Sequence, residues 1–88
     1  MSASAYSIFF TRRARKDLDK LDRKVITRIT PAIEALAHQP RPLGCTKVRV
    51  EASLWRIRVG DWRIGYEIDD AAREVTIIRV GHRGEFYD

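Results

Sequence analysis

The sequence predicts an α+β fold of order β-α-α-β-β-β, with a helical hairpin packed on one face of a mainly antiparallel twisted sheet. Three observations predict it. Apolar side chains recur at helical spacing between residues 12 and 37 and at period two between residues 54 and 68. A β-branched run follows at residues 74–80, and breaker-rich or polar segments near 39–44 and 69–73 separate these stretches. With 88 residues the chain forms one domain, 1–88, able to bury a single core. A hydrophobic share of 44% with interspersed charge argues against disorder.

The first element is a short strand at Tyr6-Ser7-Ile8-Phe9-Phe10, rich in aromatic and β-branched side chains. Thr11 offers an N-cap hydroxyl for a helix from Arg12 to about Leu21, with Ala14, Leu18 and Leu21 as its apolar stripe. Arg12, Arg13, Arg15, Lys16 and Lys20 cover its other sides. A solvated helix face explains that run first. Cations at a helix start also oppose the macrodipole, which weakly favours an outside partner. Asp22 caps a second helix, from about Arg23 to Ala37, whose stripe is Val25, Ile26, Ile29, Ile33, Leu36 and Ala37. Pro31 interrupts this helix, but the stripe stays in phase across it, so one kinked helix is expected. Residues 39–44, Gln-Pro-Arg-Pro-Leu-Gly, form a loop, and Cys45 to Val50 reads as an irregular strand.

The next stretch organises the chain. Trp55, Ile57 and Val59 alternate with Arg56, Arg58 and Gly60; Trp62, Ile64, Tyr66 and Ile68 then alternate with Arg63, Gly65 and Glu67. A two-residue Gly60-Asp61 loop suits a hairpin whose first central residue needs positive φ. That loop sets the pairs: Val59 with Trp62, Arg58 with Arg63, Ile57 with Ile64, Arg56 with Gly65, and Trp55 with Tyr66. The apolar set faces the helices and the arginines face out. Two arginines opposed across a ladder repel each other and destabilise a sheet. An anion over that face would offset the cost, and Gly65 leaves room for its approach. Solvated arginines paired with Glu67 or Asp61 are the alternative.

The net charge of +5 favours an anionic partner, though it is weak support alone. Nine Lys/Arg against four Asp/Glu fall in residues 1–46, and eight of each in residues 47–88. The arginines of the second half therefore matter by placement on one strand face. Cys45 is the single cysteine, so no intramolecular disulfide forms, and a reducing cytoplasm is expected. No apolar run is long enough for a membrane helix, and Met1 to Phe10 does not read as a signal peptide. No metal-ligand spacing, glycine-rich phosphate loop or Ser/His/Asp set occurs, so no cofactor or metal is expected.

Arg56, Arg58 and Arg63 are the first candidates for chemistry. Guanidinium forks match phosphate geometry and stay charged at any working pH. His82, after Gly81, can exchange a proton near neutral pH, or be only an exposed tail histidine. Tyr87 can stack on a base or pack on the sheet edge. Glu51, before the central strand, is a candidate base or a solvated loop carboxylate.

The run from Leu54 to Ile68 resembles the core of the RelE/ParE toxin superfamily. So do Arg79-Val80-Gly81-His82-Arg83 and the closing Phe86-Tyr87. In the helical hairpin, Asp17-Leu18, Leu21 and Ala32-Ile33-Glu34-Ala35-Leu36 fit the same family, and the resemblance covers about Tyr6 to Tyr87. It implies a small toxin encoded beside the antitoxin that neutralises it. A RelB-like antitoxin from the neighbouring gene is then the expected partner, in a hetero-oligomeric complex. RelE-type members cleave mRNA in the ribosomal A site; ParE-type members inhibit DNA gyrase and lack the RNase residues. The basic strand positions of RelE-type enzymes fall on Arg56, Arg58 and Arg63. Those after the last strand's glycine fall on His82 and Arg83, and the C-terminal tyrosine on Tyr87. Because these positions stay polar and mostly cationic, the resemblance implies a metal-independent, ribosome-dependent mRNA endoribonuclease acting in the cytoplasm. The alternative is a ParE-type gyrase inhibitor without nuclease activity. Some relatives carry lysine where Arg56 and Arg58 stand, and arginine scarcely deprotonates. Glu51 and His82, as in relatives that use a glutamate and a histidine, form the alternative acid–base pair.

Overall fold

The structure, a computed structural model, describes residues 5–48 and 53–82. Both helices begin where side-chain oxygens cap them. The Thr11 hydroxyl accepts the Ala14 N–H at 3.0 Å and starts α1 (Arg12–Asp19). The Asp22 carboxylate accepts the Val25 N–H at 3.2 Å and starts α2 (Arg23–Ala35). Each helix stops two residues before its expected end. Tight i→i−3 bonds take over there, among them Leu21 N–H to Leu18 C=O at 3.1 Å and Leu36 N–H to Ile33 C=O at 3.0 Å. α2 runs through Pro31 as one helix, and the Thr30 hydroxyl donates to the Ile26 carbonyl at 2.7 Å.

The strands are β1 (Ser7–Phe10), β2 (Thr46–Lys47), β3 (Trp55–Val59), β4 (Trp62–Asp69) and β5 (Glu74–His82). They form one sheet in the order β1-β5-β4-β3-β2, with β1 parallel to β5 and every other pair antiparallel. The fold is therefore the expected α+β architecture, with one correction to the strand count. The irregular run after Cys45 contributes a fifth strand of two residues, Thr46 and Lys47, paired with Arg56 and Trp55. A second correction concerns β5, which extends past Val80 to His82 because Gly81 and His82 pair with Arg63 and Trp62.

The hairpin register is the expected one in all five pairs, including Arg58 opposite Arg63. Gly60 takes φ +60, and a Cβ built there would stand 2.7 Å from Arg28 Nη2. The Arg28 tip is flexible and can move aside, so backbone strain is the larger cost. Gly60→Ala is expected to lose about 1–2 kcal/mol from the left-handed conformation. Urea unfolding checks this, and an unchanged midpoint would show that the turn tolerates a side chain.

The core lies between the helices and one sheet face. Ala14, Ile29, Ile33 and Leu36 pack with Ile57, Ile64, Tyr66, Val75, Ile77 and Val80. Trp55, Val59, Trp62 and Ile68 form its half-buried margin. The Tyr66 hydroxyl donates to the Pro40 carbonyl at 2.7 Å, and burial, with the nearby Cys45 thiol, pushes its pKa upward. The same loop is tied to the β4–β5 turn by Arg41, 3.0 Å from Asp70 Oδ2, and Asp70 also accepts the Tyr6 hydroxyl at 2.7 Å. Both bonds hold the Asp70 carboxyl below its usual range. Arg41 also lies over the Trp55 ring at 5.1 Å. Among the described residues no helix is long and apolar enough to cross a membrane.

Candidate functional site

Strand pairing decides which side chains share the face turned away from the helices. Residues directly opposite in a ladder project to the same side, and alternation carries this along each strand. Arg58, Arg63 and Gly81 make one row across β3, β4 and β5. Thr46, Arg56, Gly65 and Arg79 make the next. The three arginines singled out from the sequence are thus together, on neighbouring rigid strands. Arg58 is exposed, and Arg56 and Arg63 are half-buried. Gly65 is itself buried, so the slot expected over it is not open to solvent. A cleft of about 580 Å³ reaches Arg58 and Arg63 at the hairpin end, with Ala32, Ala35 and residues 42–44 on its far side.

Arg79 is the residue that sequence reasoning left out of the site. Simple alternation from Val75 and Ile77 would send Arg79 toward the helices. A bulge opposite Gly65 and Tyr66 inserts one residue into β5 and reverses the phase. Val80 is therefore buried, and Arg79 pairs with Gly65 on the arginine face. Its sequence signals were its place in the Arg79-Val80-Gly81-His82-Arg83 run that carries the family resemblance and its charge in a strand of largely apolar and β-branched residues.

His82 is separated from the arginines. It pairs with Trp62 on the helix side, and the two rings meet edge to face with centroids 5.1 Å apart. The reason is again the strand phase: Gly81 takes the arginine face, so His82 takes the other. A cleft of about 450 Å³ lies beside it, between Arg13, Asp17, Lys20 and Leu21 of the first helix and its turn, and Trp62 and residues 79–82. Asp17 spans the junction, accepting the Val80 N–H at 2.9 Å with Arg13 Nε 3.9 Å away. Glu51, Arg83 and Tyr87 lie outside the described residues. Among the described residues no three His, Cys, Asp or Glu side chains group as metal ligands.

What this arrangement offers chemically is a set of guanidinium donors held on neighbouring strands, with Arg58 exposed and Arg56, Arg63 and Arg79 half-buried. Such a surface binds anions with delocalised charge, above all phosphodiesters. Rigid strands hold the donors in place before the ligand arrives, which favours charge that develops during reaction over charge already present.

Known proteins support a specific lineage. The family model described as ParE toxin of type II toxin-antitoxin system, parDE, matches residues 8–87. Toxin RelG of Mycobacterium tuberculosis is 35% identical over 83 residues, which is 93% of this chain and 95% of that protein. Among solved structures, the toxin of the RelBE2 toxin-antitoxin complex from the same organism superposes with a TM-score of 0.79 at 34% identity. That match covers 90% of this chain and 99% of the other. The isolated E. coli RelE toxin superposes with a TM-score of 0.78 at 26% identity, covering 90% of this chain and 85% of that one. With the helical hairpin on a five-stranded sheet and the arginine-bearing hairpin in place, the chain belongs to the RelE/ParE superfamily of toxins of type II toxin–antitoxin systems.

Proposed function

We propose that this toxin is a RelE-type endoribonuclease that cleaves mRNA on the ribosome without a metal ion. The observation that carries the reading is the opposed pair Arg58 and Arg63, with Arg56 beside them. Like charges directly opposite on a ladder repel, and a phosphate held by both offsets that repulsion. In the proposed reaction the ribose 2′-OH attacks the adjacent phosphorus, the bond to the 5′-oxygen breaks, and a 2′,3′-cyclic phosphate and a 5′-OH end form. The 2′-OH proton leaves to a base and the 5′-oxygen takes one up. Arg56, Arg58 and Arg63 hold the phosphate and take up the charge that builds on its oxygens. His82 lies on the helix side, so in this reading the Arg83 position assists the leaving oxygen and Tyr87 stacks on a base. Glu51 is the candidate for the base, since arginine is a poor one.

The partners follow from the same reading. The similar solved structures include RelB–RelE complexes, and a RelB-like antitoxin from the neighbouring gene is proposed to bind this toxin in a hetero-oligomer. Its acidic or amphipathic segment would cover the arginine face. The ribosome, in the cytoplasm, presents the mRNA.

Primer extension on translating ribosomes tests the activity, with toxin that was treated with EDTA and then freed of chelator compared with untreated toxin. New 5′ ends within the A-site codon, equal for both, are expected. Intact mRNA with folded toxin, or cleavage by the untreated toxin alone, overturns it. The family model named for ParE supports a second reading, inhibition of DNA gyrase. A supercoiling assay with purified gyrase separates the two: inhibition at low stoichiometry with mRNA intact favours that reading.

A further inference from the structure

The β5 bulge is held by the first helix rather than by the sheet alone. The Thr11 N–H donates to the Ile77 carbonyl at 3.0 Å, and the Thr11 hydroxyl donates to the Ile78 carbonyl at 2.9 Å. Asp17, one and a half turns further on, accepts the Val80 N–H at 2.9 Å. Backbone groups of Ile77, Ile78 and Val80, on both sides of the irregularity, are therefore bonded to one helix and its cap. A bulge breaks the ladder locally and must have its backbone groups satisfied elsewhere. Here the partners are the Thr11 backbone N–H and the side chains of Thr11 and Asp17, at the cap and within α1.

The consequence appears on the far side of the sheet. The bulge turns Arg79 onto the arginine face, in register with Gly65 and, one strand further, with Arg56. Two strand spacings separate Arg79 from Arg56, roughly 10 Å. Both side chains are half-buried, with their Nε atoms shut off from solvent. The arginine face is therefore longer than the hairpin that carries Arg58 and Arg63. It continues across β5, toward the strand's C-terminal end.

We propose that Arg79 is a further RNA-backbone contact, binding a phosphate that flanks the one held by Arg58 and Arg63, and that Thr11 and Asp17 are positioning residues which keep it there. This rests on the ribonuclease reading above. A flanking phosphate carries the same charge before and during cleavage, so its contact adds uniform binding: it lowers KM and leaves kcat alone. That separates Arg79 from the residues on the reacting phosphate, whose loss lowers kcat.

Steady-state cleavage on programmed ribosomes gives the test. Arg79→Gln is expected to raise KM about tenfold with kcat within about twofold of wild type, the size of one lost charge-assisted contact. Asp17→Ala should raise KM in the same way, and Asp17→Asn should restore it, because the amide oxygen still accepts the Val80 N–H. In the Arg79→Gln background Asp17→Ala should add almost nothing to KM, since both remove one contact. If Asp17→Ala does not fold, Asp17→Asn and Arg79→Gln still decide the RNA contact. Unchanged KM in Arg79→Gln, beside inactive Arg63→Ala, overturns the proposal and leaves the ribonuclease reading intact. Additive KM effects in the double variant overturn the positioning role. A wild-type protein that cleaves nothing removes the ribonuclease reading itself.

Discussion

Arg58→Ala and Arg63→Ala are each expected to lower ribosome-dependent cleavage roughly 10²–10³-fold, about 3–4 kcal/mol of transition-state stabilisation, while the fold survives. The two residues stand directly opposite on β3 and β4, on the same side of the sheet, where like charges repel. Removing either one relieves that repulsion, and stability should stay level or rise by roughly 0.2–1 kcal/mol. The loss should appear in kcat, because charge accumulates on the phosphate oxygens only as the 2′-oxygen attacks. Thermal unfolding and single-turnover cleavage on the same preparations give both quantities. A structural role predicts the reverse: a lower melting temperature with activity per folded molecule unchanged. Full cleavage in both variants would remove these residues from the mechanism and put the gyrase reading in front.

The hairpin was legible because its signals are local. Period-two alternation gave the faces, Gly60-Asp61 gave the loop length, and loop length fixed every pair from Trp55–Tyr66 to Val59–Trp62. The caps were legible for the same reason, since Thr11 and Asp22 act within three residues of themselves. What escaped depended on partners far along the chain. The bulge in β5 is stabilised by Thr11 and Asp17, more than sixty residues away, and no local pattern in Val75 to Val80 announces it. That one inserted residue carries Arg79 onto the arginine face and His82 onto the other, because strand phase propagates to every position beyond it. The irregular strand expected from Cys45 to Val50 is seen as the two residues of β2, which pair with Arg56 and Trp55.

Ile64→Ala should produce the opposite result from Arg63→Ala one position away. Ile64 is fully buried on the helix side of β4, paired with Ile57 on one strand and Val80 on the other. Its truncation removes apolar burial and leaves a cavity that two flanking strands and the helices cannot readily close. A cost of about 2–5 kcal/mol follows. Against a total stability of roughly 5–15 kcal/mol that is a large share, and the melting temperature should fall by about 10 °C or more. The arginine face does not depend on the Ile64 side chain, only on the backbone of β4. Cleavage per folded molecule, measured well below the new melting temperature, should therefore stay within about threefold of wild type, a difference of roughly 0.7 kcal/mol. A loss comparable to that of Arg63→Ala at full folding would show that core packing transmits to the arginines, so that the two faces of β4 are not independent. Small loss of stability instead would mean that the helical hairpin settles onto the sheet more freely than its buried Ile29 and Ile33 contacts imply.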